Sequence, residues 1–201
     1  GAPAPANQNH AGVPHTGVAL LLSPTAAAAL IEWETVSPRM MLASFSCAVT
    51  VTILAFYAPH SSRPAAERRN FRSEMQRVRG AVNRHKLLIL LGDANAKVGT
   101  KQDGPTGGAV GPHGVPGRND AGQALLDDCA AEQLCVANTF FQHKLAHKAM
   151  CRTPDPVQIP GEEVRWRLHS NDVVIVRRSF LSSVRDVRAF GAPSTCLLYT
   201  S

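Results

Sequence analysis

The stretch Leu87-Leu-Ile-Leu-Leu-Gly-Asp-Ala-Asn95 decides the fold, because a continuous apolar run stops abruptly at small and polar residues. An uninterrupted apolar run of this length, 87–91, is typical of a strand that is covered on both faces. Asp93 and Asn95 follow Gly92 and project from the strand end on the same side. The pattern predicts a buried strand that carries a carboxylate and an amide at its end.

A carboxylate and an amide at this spacing suit phosphate chemistry. Asp93 can coordinate Mg²⁺ or accept a proton from an attacking water, and Asn95 can donate a hydrogen bond to a phosphate oxygen. The alternative is an ordinary Asp/Asn turn after a strand, which needs no ligand. The residues at this strand end leave both interpretations open.

Two further strand ends carry polar groups. Tyr57 closes the β-branched run 49–57, just before Pro59, and a tyrosine there can donate to a phosphate. Its alternative is an aromatic side chain at the rim of the core. Asp172 opens the apolar run 172–176, where it can orient a histidine or simply cap the strand. Three polar strand ends in this order favour one shared site.

The remaining pattern alternates strands with two helices. Apolar periodicity predicts helices over 64–84 and 121–134, and the Gly- and Pro-rich segment 99–120 predicts a long loop. Residues 26–36 fit either a strand or a short helix. Further strands are predicted over 17–23, 39–47, 135–141 and 184–190.

Composition bounds the class of protein. The chain has 201 residues, 44% of them hydrophobic and 18% charged, with a net charge of +6 and a pI near 9.4. These values exclude a collagen, a coiled coil, a disulfide-stapled mini-protein and a membrane-spanning protein. The positive charge permits an anionic partner such as nucleic acid. The arginines of the first helix, at 68, 69, 72, 77 and 79, fit a solvated face better than a nucleic-acid patch.

The cysteines predict reduced thiols. Their number is five, they are widely spaced, and none forms a CxxC pair or a zinc-like Cys/His spacing. This usage indicates an intracellular protein. Cys47 and Cys135 lie in apolar runs and are expected to be buried.

The order of motifs resembles the endonuclease/exonuclease/phosphatase superfamily, whose fold is called DNase I-like. Within it, the sequence is similar to the apurinic-type endonuclease domain of RTE/BovB-like non-LTR retrotransposons, and craniofacial development protein 2-like proteins resemble the same sequences. The resemblance covers about residues 17–195 and includes Asp186-Val-Arg188. Its motifs are Gly17-Val-Ala-Leu-Leu-Leu-Ser23, Phe56-Tyr-Ala-Pro59, Gly92-Asp-Ala-Asn-Ala-Lys-Val-Gly99, Gly117-Arg-Asn-Asp-Ala-Gly122, Asn138-Thr-Phe-Phe-Gln-His-Lys144, His147-Lys148 and Asn171-Asp-Val-Val-Ile-Val176.

The resemblance implies an α+β fold, a four-layer α/β/β/α sandwich of two mixed sheets, and Mg²⁺- or Mn²⁺-dependent cleavage of DNA. Asp93 would activate the attacking water, and Asn95 would hold the phosphate. Both residues would bind the metal ion. Tyr57 would contact the scissile phosphate. Asp172 would orient a catalytic histidine. The implied partner is DNA, and the full-length parent protein would also bind the RNA of its retrotransposon. The resemblance further implies a monomer that does not associate with a membrane. The parent protein would lie in the nucleus. The implied DNA-backbone contacts are Lys97, Arg118, Asn119, Lys144 and Lys148.

Departures from the family pattern lead us to expect a truncated, catalytically impaired domain. The family's metal-binding Glu upstream and its final Ser-Asp-His motif find no match, so Asp172 lacks a histidine to orient. Ala94 replaces a bulky residue, Met150-Cys151 replaces Thr-Trp, and Val173 replaces Tyr. Residues 1–16 are expected to be disordered or a remnant, and 196–201 to be an adapter-derived tail. The alternatives are a decayed or domesticated nucleic-acid-binding module and a small-substrate phosphatase or phosphodiesterase.

Overall fold

The computed structural model describes residues 17–148, 151–154 and 166–189, without the side chains of 151–154 and 166–169. The expectations for 1–16 and 196–201 therefore lie outside the described residues. The helices are α1 (Pro24–Ala28), α2 (Ala65–Ala81) and α3 (Asp120–Ala131). The strands are β1 (Leu30–Ser37), β2 (Met40–Phe45), β3 (Val51–Tyr57), β4 (Leu87–Asp93), β5 (Leu134–Val136), β6 (Cys151–Pro154), β7 (Trp166–His169) and β8 (Asp172–Arg177).

One mixed sheet organises the domain. Its strand order is β1-β2-β3-β4-β8-β5, and β6 pairs with β7 in a separate antiparallel ribbon. Only β3 and β4 are parallel neighbours among these pairs, and α2 connects them, as a parallel pair requires. The predicted α+β class is confirmed.

The central strands are covered on both faces. On one face, Leu88 and Leu90 of β4 join a core cluster with Met75 of α2 and Leu126 of α3. On the other face, Ile89 packs with a smaller cluster around Cys135 and Val176. This two-sided burial explains why residues 87–91 are apolar without alternation.

The residue before each of the two long helices explains where that helix begins. Pro64 is the N-cap residue of α2; its ring fixes φ, here at −50°, while its ψ of 141° is still extended. Asn119 caps α3 by accepting a hydrogen bond at Oδ1 from the Gly122 amide, 2.8 Å away. Among the described residues, no helix combines the length and apolar character needed to cross a membrane.

Several predicted elements are wrong. Residues 17–23 form no strand, and Leu21 is fully exposed, because no neighbouring strand pairs with them in the described part of the chain. The segment 26–36 splits between α1 and β1. The predicted strand 135–141 ends at Val136 and continues as a 3₁₀ turn, and 184–189 has no regular structure.

Two expectations about single side chains also need correction. Cys47 is exposed rather than buried, whereas Cys135 is buried as predicted. Burial also raises the pKa of the Cys129 thiol to about 12, so that thiol is not a nucleophile. Arg79 does not belong to a solvated face: only 4% of its side chain is exposed, and it pairs with Glu132 at 2.6 Å.

Candidate functional site

Three polar residues at strand ends form one row across the sheet. Tyr57 pairs with Asp93 between the parallel strands β3 and β4. Asp93 pairs with Asp172 between the antiparallel strands β4 and β8. Directly paired residues point to the same face of a sheet, and neighbouring strands lie about 4.8 Å apart. Tyr57, Asp93 and Asp172, which we call the strand-end row, therefore stand side by side.

Gly92 allows β4 to reach this position. A Cβ atom on Gly92 would lie 1.8 Å from the carbonyl oxygen of Phe56, a backbone atom of β3. Since no other residue fits such an approach, Gly92 fixes how closely the strand end carrying Asp93 lies against the end of β3.

The turn after β4 is tied to both neighbouring strands. Asp93 accepts a hydrogen bond at Oδ1 from the Asn95 amide at 2.7 Å, and Asn95 adopts a left-handed φ of 45°. The Asn95 side chain donates from Nδ2 to the carbonyl oxygen of Ala58 at 2.7 Å. The Ala94 amide donates to the carbonyl oxygen of Asn171 at 2.8 Å. The side-chain nitrogen of Asn95 therefore holds the turn through its bond to Ala58. The predicted contact of Asn95 with a phosphate stays a prediction.

Tyr57 sits at the open end of the row. Its side chain is 37% exposed, and the guanidinium of Arg39 lies 5.3 Å from the centre of its ring. Arg39 is itself held by Glu67 of α2, with Nη2 3.0 Å from Oε1. This cation–π contact places a positive charge beside the phenol. Sequence periodicity gave no sign of Arg39, because it lies in the β1–β2 turn.

Asp172 is half-buried beside the charge of Asp93. Burial, and then the neighbouring Asp93 charge, raise the pKa of the Asp172 carboxyl above its usual range. Asn138 holds this strand start: its Oδ1 accepts from the Val174 amide at 2.6 Å, and its Nδ2 donates to the Asp172 carbonyl at 3.4 Å. The carboxylates of Asp93 and Asp172 therefore lie close together, and a cation or a hydrogen-bond donor between them would stabilise their negative charge.

The raised pKa of Asp172 gives a stability prediction. Because the folded protein favours the protonated carboxyl, the wild-type chain loses stability as pH rises from about 4, the unfolded value, through the raised folded value. We expect Asp172→Asn to raise the melting temperature at pH 7 and to remove this loss. Thermal melts between pH 4 and pH 7 test it, with Glu34→Gln, an exposed carboxylate of β1, as control. Equal melting temperatures for wild type and Asp172→Asn at pH 7 would contradict it.

A cavity of about 300 Å³ opens beside Asp172. Cationic and hydrogen-bonding side chains contribute to its lining, and Asp172 is its one carboxylate within the described residues. We call it the basic cavity. Its polar and ionisable lining residues are Lys97, His113, Asn138, Thr139, His147, Lys148, Ser170, Asp172 and Arg188. Positive charge concentrated in a concave surface attracts phosphate groups.

The predicted DNA contacts divide into three groups. Lys97 and Lys148 line the basic cavity, whereas Lys144 is exposed outside its lining. Arg118 donates to the carbonyl oxygens of Val98, Pro105 and Thr100 at 2.7–2.9 Å and so shapes the Gly-rich loop. Asn119 caps α3 and accepts from the Lys97 amide at 3.0 Å.

Sequence reasoning missed the histidines of this region. His113 and His147 both line the basic cavity. His147 belongs to the His147-Lys148 motif of the resemblance, which gives it no role, and His113 belongs to none of those motifs. His143 contacts Asp186 at 2.6 Å, and Arg188 Nε donates to the same carboxylate at 2.6 Å. Burial raises the pKa of Asp186, but the hydrogen bonds from Arg188 and His143 outweigh it and leave the pKa lowered. The loops that carry these residues have no periodicity from which sequence could place them.

The residues present fit a divalent metal only in part. Asp93 and Asn95 offer the oxygen ligands that Mg²⁺ prefers, and Asp172 adds a third oxygen donor nearby. Within the described ranges, however, no group of three or more His, Cys, Asp or Glu side chains could hold a metal ion. We therefore derive no chemical step through a metal.

The departures from the family motifs have a visible consequence at one position. Ala94 is buried and lines a second cavity, between the sheet and helices α2 and α3. Val173 is buried and belongs to the larger core cluster, together with Leu88 and Leu90 of β4. Met150 and the side chain of Cys151 lie outside the described residues.

Comparisons with known proteins find relatives of similar sequence. No family model matches the chain. Craniofacial development protein 2 of Tragulus javanicus is 28% identical over 173 residues, which are 86% of this chain and 28% of that protein. The Bos taurus protein is 27% identical over 173 residues, 86% of this chain and 27% of its own length. This chain is similar to craniofacial development protein 2. It spans just over a quarter of the length of these relatives.

A solved structure is similar in part. It is the crystal structure of D. rerio TDP2 complexed with single strand DNA product, with a TM-score of 0.44 and 16% sequence identity. The match covers 74% of this chain and 52% of that chain.

Proposed function

We propose that the strand-end row and the basic cavity form the phosphodiester site of a DNA-cleaving endonuclease of DNase I-like type, related to those of non-LTR retrotransposons. One observation carries the proposal: two carboxylates and a tyrosine stand in register beside a cavity lined by Lys97, Lys148 and Arg188. Phosphodiester hydrolysis needs, among other things, positive charge that binds the phosphate and a base that activates water, and these side chains supply groups of both kinds.

Each member of the row has a part in this function. Asp93 accepts the proton of the attacking water, and Tyr57 donates to a non-bridging phosphate oxygen. Asp172, which is protonated more readily than an exposed aspartate, supplies a hydrogen-bond donor or holds a neighbouring group in place. A divalent metal at Asp93 and Asn95 would neutralise charge on the phosphate.

The 201-residue chain itself is proposed to bind DNA but to cleave it poorly. The described residues supply an incomplete metal site, and removing members of a cooperative catalytic set abolishes most activity. We expect purified chain with Mg²⁺ to convert supercoiled plasmid to the nicked form no faster than an EDTA control does. Metal-dependent nicking by the wild-type chain would contradict the proposal that it cleaves DNA poorly. If Asp93→Asn abolished that nicking, the proposed location of the site would be supported.

Binding of DNA gives a sharper prediction. Lys97→Ala and Lys148→Ala should each weaken binding of a labelled duplex, because each removes a phosphate contact. Each should also lower the slope of log affinity against log salt by about 0.9, the value for one released counterion. Fluorescence anisotropy over a salt series measures both quantities.

Lys144 provides a matched control for that experiment. It is an exposed lysine of the same segment as Lys148, but it does not line the basic cavity. Lys144→Ala should leave the affinity and the salt slope close to those of the wild type. Equal losses in all three variants would indicate diffuse attraction to a basic surface and would count against a built site.

A further inference from the structure

A second cavity lies on the opposite side of the sheet from the strand-end row. We call it the helix cleft: a space of about 310 Å³ bounded by α2, α3 and the sheet. The cleft is open to solvent, and exposed residues such as Arg69 and Arg72 line its mouth. The cleft exists because small side chains line it where larger ones would fill the space. These residues are Ala58, Ala65, Ala94, Ala96, Ala121 and Ala124.

The floor of the cleft is apolar. Phe56 and Phe71 lie there with ring centroids 6.3 Å apart, next to Leu90 of β4 and Leu125 of α3. A volume of about 300 Å³ is at the lower end of those found for small-molecule sites, and such sites are mostly apolar with a few polar groups. The floor therefore suits a flat apolar ring.

The α2 wall of the cleft is cationic. Arg68, Arg69 and Arg72 line it, and within the described residues none of the three makes an ion pair. Nε of Arg68 and Nε of the nine-tenths buried Arg79 are both buried without a hydrogen-bond partner in the described part of the structure. A buried donor without an acceptor costs about 1–3 kcal/mol, so this wall favours an anion that accepts several hydrogen bonds.

The α3 wall has the opposite character. Asp120 and Asp128 line it, and neither side chain has an ion pair within the described ranges. Carboxylates only accept hydrogen bonds when ionised. A ligand that fits all three surfaces carries an anionic group, a flat ring and N–H donors on the ring.

We propose that the helix cleft binds a nucleotide, with its phosphate on the α2 arginines, its base on the apolar floor and base N–H groups toward Asp128. A free mononucleotide and one unit of a single strand share this chemistry. Two simpler ligands fit the cleft less well than a nucleotide. A fatty acid has no N–H donor for Asp120 and Asp128, and inorganic phosphate has no apolar group to cover the floor. The site is separate from the basic cavity and stands whether or not the chain cleaves DNA.

Calorimetric titration of the full chain with AMP, GMP, CMP and dTMP tests the proposal. Arg68→Ala should weaken nucleotide binding about tenfold or more, as expected for loss of a charge-assisted hydrogen bond. Ala124→Leu should weaken it similarly by filling the cleft without changing its charge. Arg77→Ala, an exposed arginine of α2 outside the cleft, and Lys97→Ala, in the basic cavity, should leave this binding unchanged.

Three outcomes would overturn the proposal, and a fourth would identify the source of the nucleotide. Absence of saturable binding overturns the proposal, as does binding that only Lys97→Ala removes. Inorganic phosphate binding as tightly as AMP, insensitive to Ala124→Leu, indicates an anion site without base recognition and also overturns it. A short oligothymidylate that binds more tightly than dTMP, with the same sensitivity to Arg68→Ala, identifies a nucleic-acid strand as the source of the nucleotide. Circular dichroism of each variant confirms that it is folded.

Discussion

Gly92→Ala is expected to destabilise the domain by about 3 kcal/mol or more, at or beyond the upper end of the cost of overpacking. The new Cβ would lie 1.8 Å from the Phe56 carbonyl oxygen, and a backbone atom of a central strand cannot rotate away. The pairing of β3 with β4 would have to open next to Tyr57 and Asp93. Urea unfolding followed by circular dichroism measures the loss.

Gly80→Ala is the matched control for that substitution. Gly80 lies within α2, is exposed, and has no atom within 4 Å of an added Cβ. Because alanine is the better helix former, Gly80→Ala should stabilise the domain by about 0.5–1 kcal/mol. A Gly92→Ala chain as stable as the wild type would show that β4 does not approach β3 as closely as described.

Glu132→Ala is the second substitution with a large expected effect. It removes the partner of Arg79, whose Nη2 lies 2.6 Å from Glu132 Oε1 and whose side chain is only 4% exposed. Removing one member of a buried pair costs about 3–5 kcal/mol, and we expect the lower end because Glu132 is 27% exposed. The loss arises from the uncompensated charge of Arg79 between the helices.

A second substitution separates this cause from lost packing. Arg79→Met removes the buried charge and keeps most of the side-chain volume, so in the Glu132→Ala background it should recover part of the lost stability. Denaturation midpoints of the wild type, both single variants and the double variant form the required cycle. A double variant less stable than Glu132→Ala alone would show that packing of the arginine, not its unpaired charge, sets the cost.

The strands and helices with strong patterns could be predicted from sequence. The apolar run 87–91 and the β-branched run 49–57 became central strands, since burial on both faces demands apolar residues throughout. The run 17–23 had a similar composition but pairs with no strand in the described structure. Apolar composition alone does not supply a pairing partner, and pairing depends on residues distant in sequence.

The candidate site was only half predictable. Tyr57, Asp93 and Asp172 follow from strand ends, because the register of neighbouring strands places such residues together. His113, His147 and Arg39 lie in loops or turns whose paths are fixed by tertiary contacts. Arg118 was also predicted to contact DNA. The structure shows its guanidinium donating to the carbonyl oxygens of Val98 and Thr100, and its DNA contact stays a prediction.

Chemical-shift mapping of the ¹⁵N-labelled chain with a short DNA duplex tests the central claim most directly. A duplex keeps its bases stacked and so reports the phosphodiester site rather than the helix cleft. We predict that the largest shifts fall on the amides at 92–98, 138–139, 147–148 and 170–174, and that Lys97→Ala with Lys148→Ala removes them. Shifts spread over the exposed face of α2, with these amides unchanged, would contradict a phosphodiester site at the strand-end row.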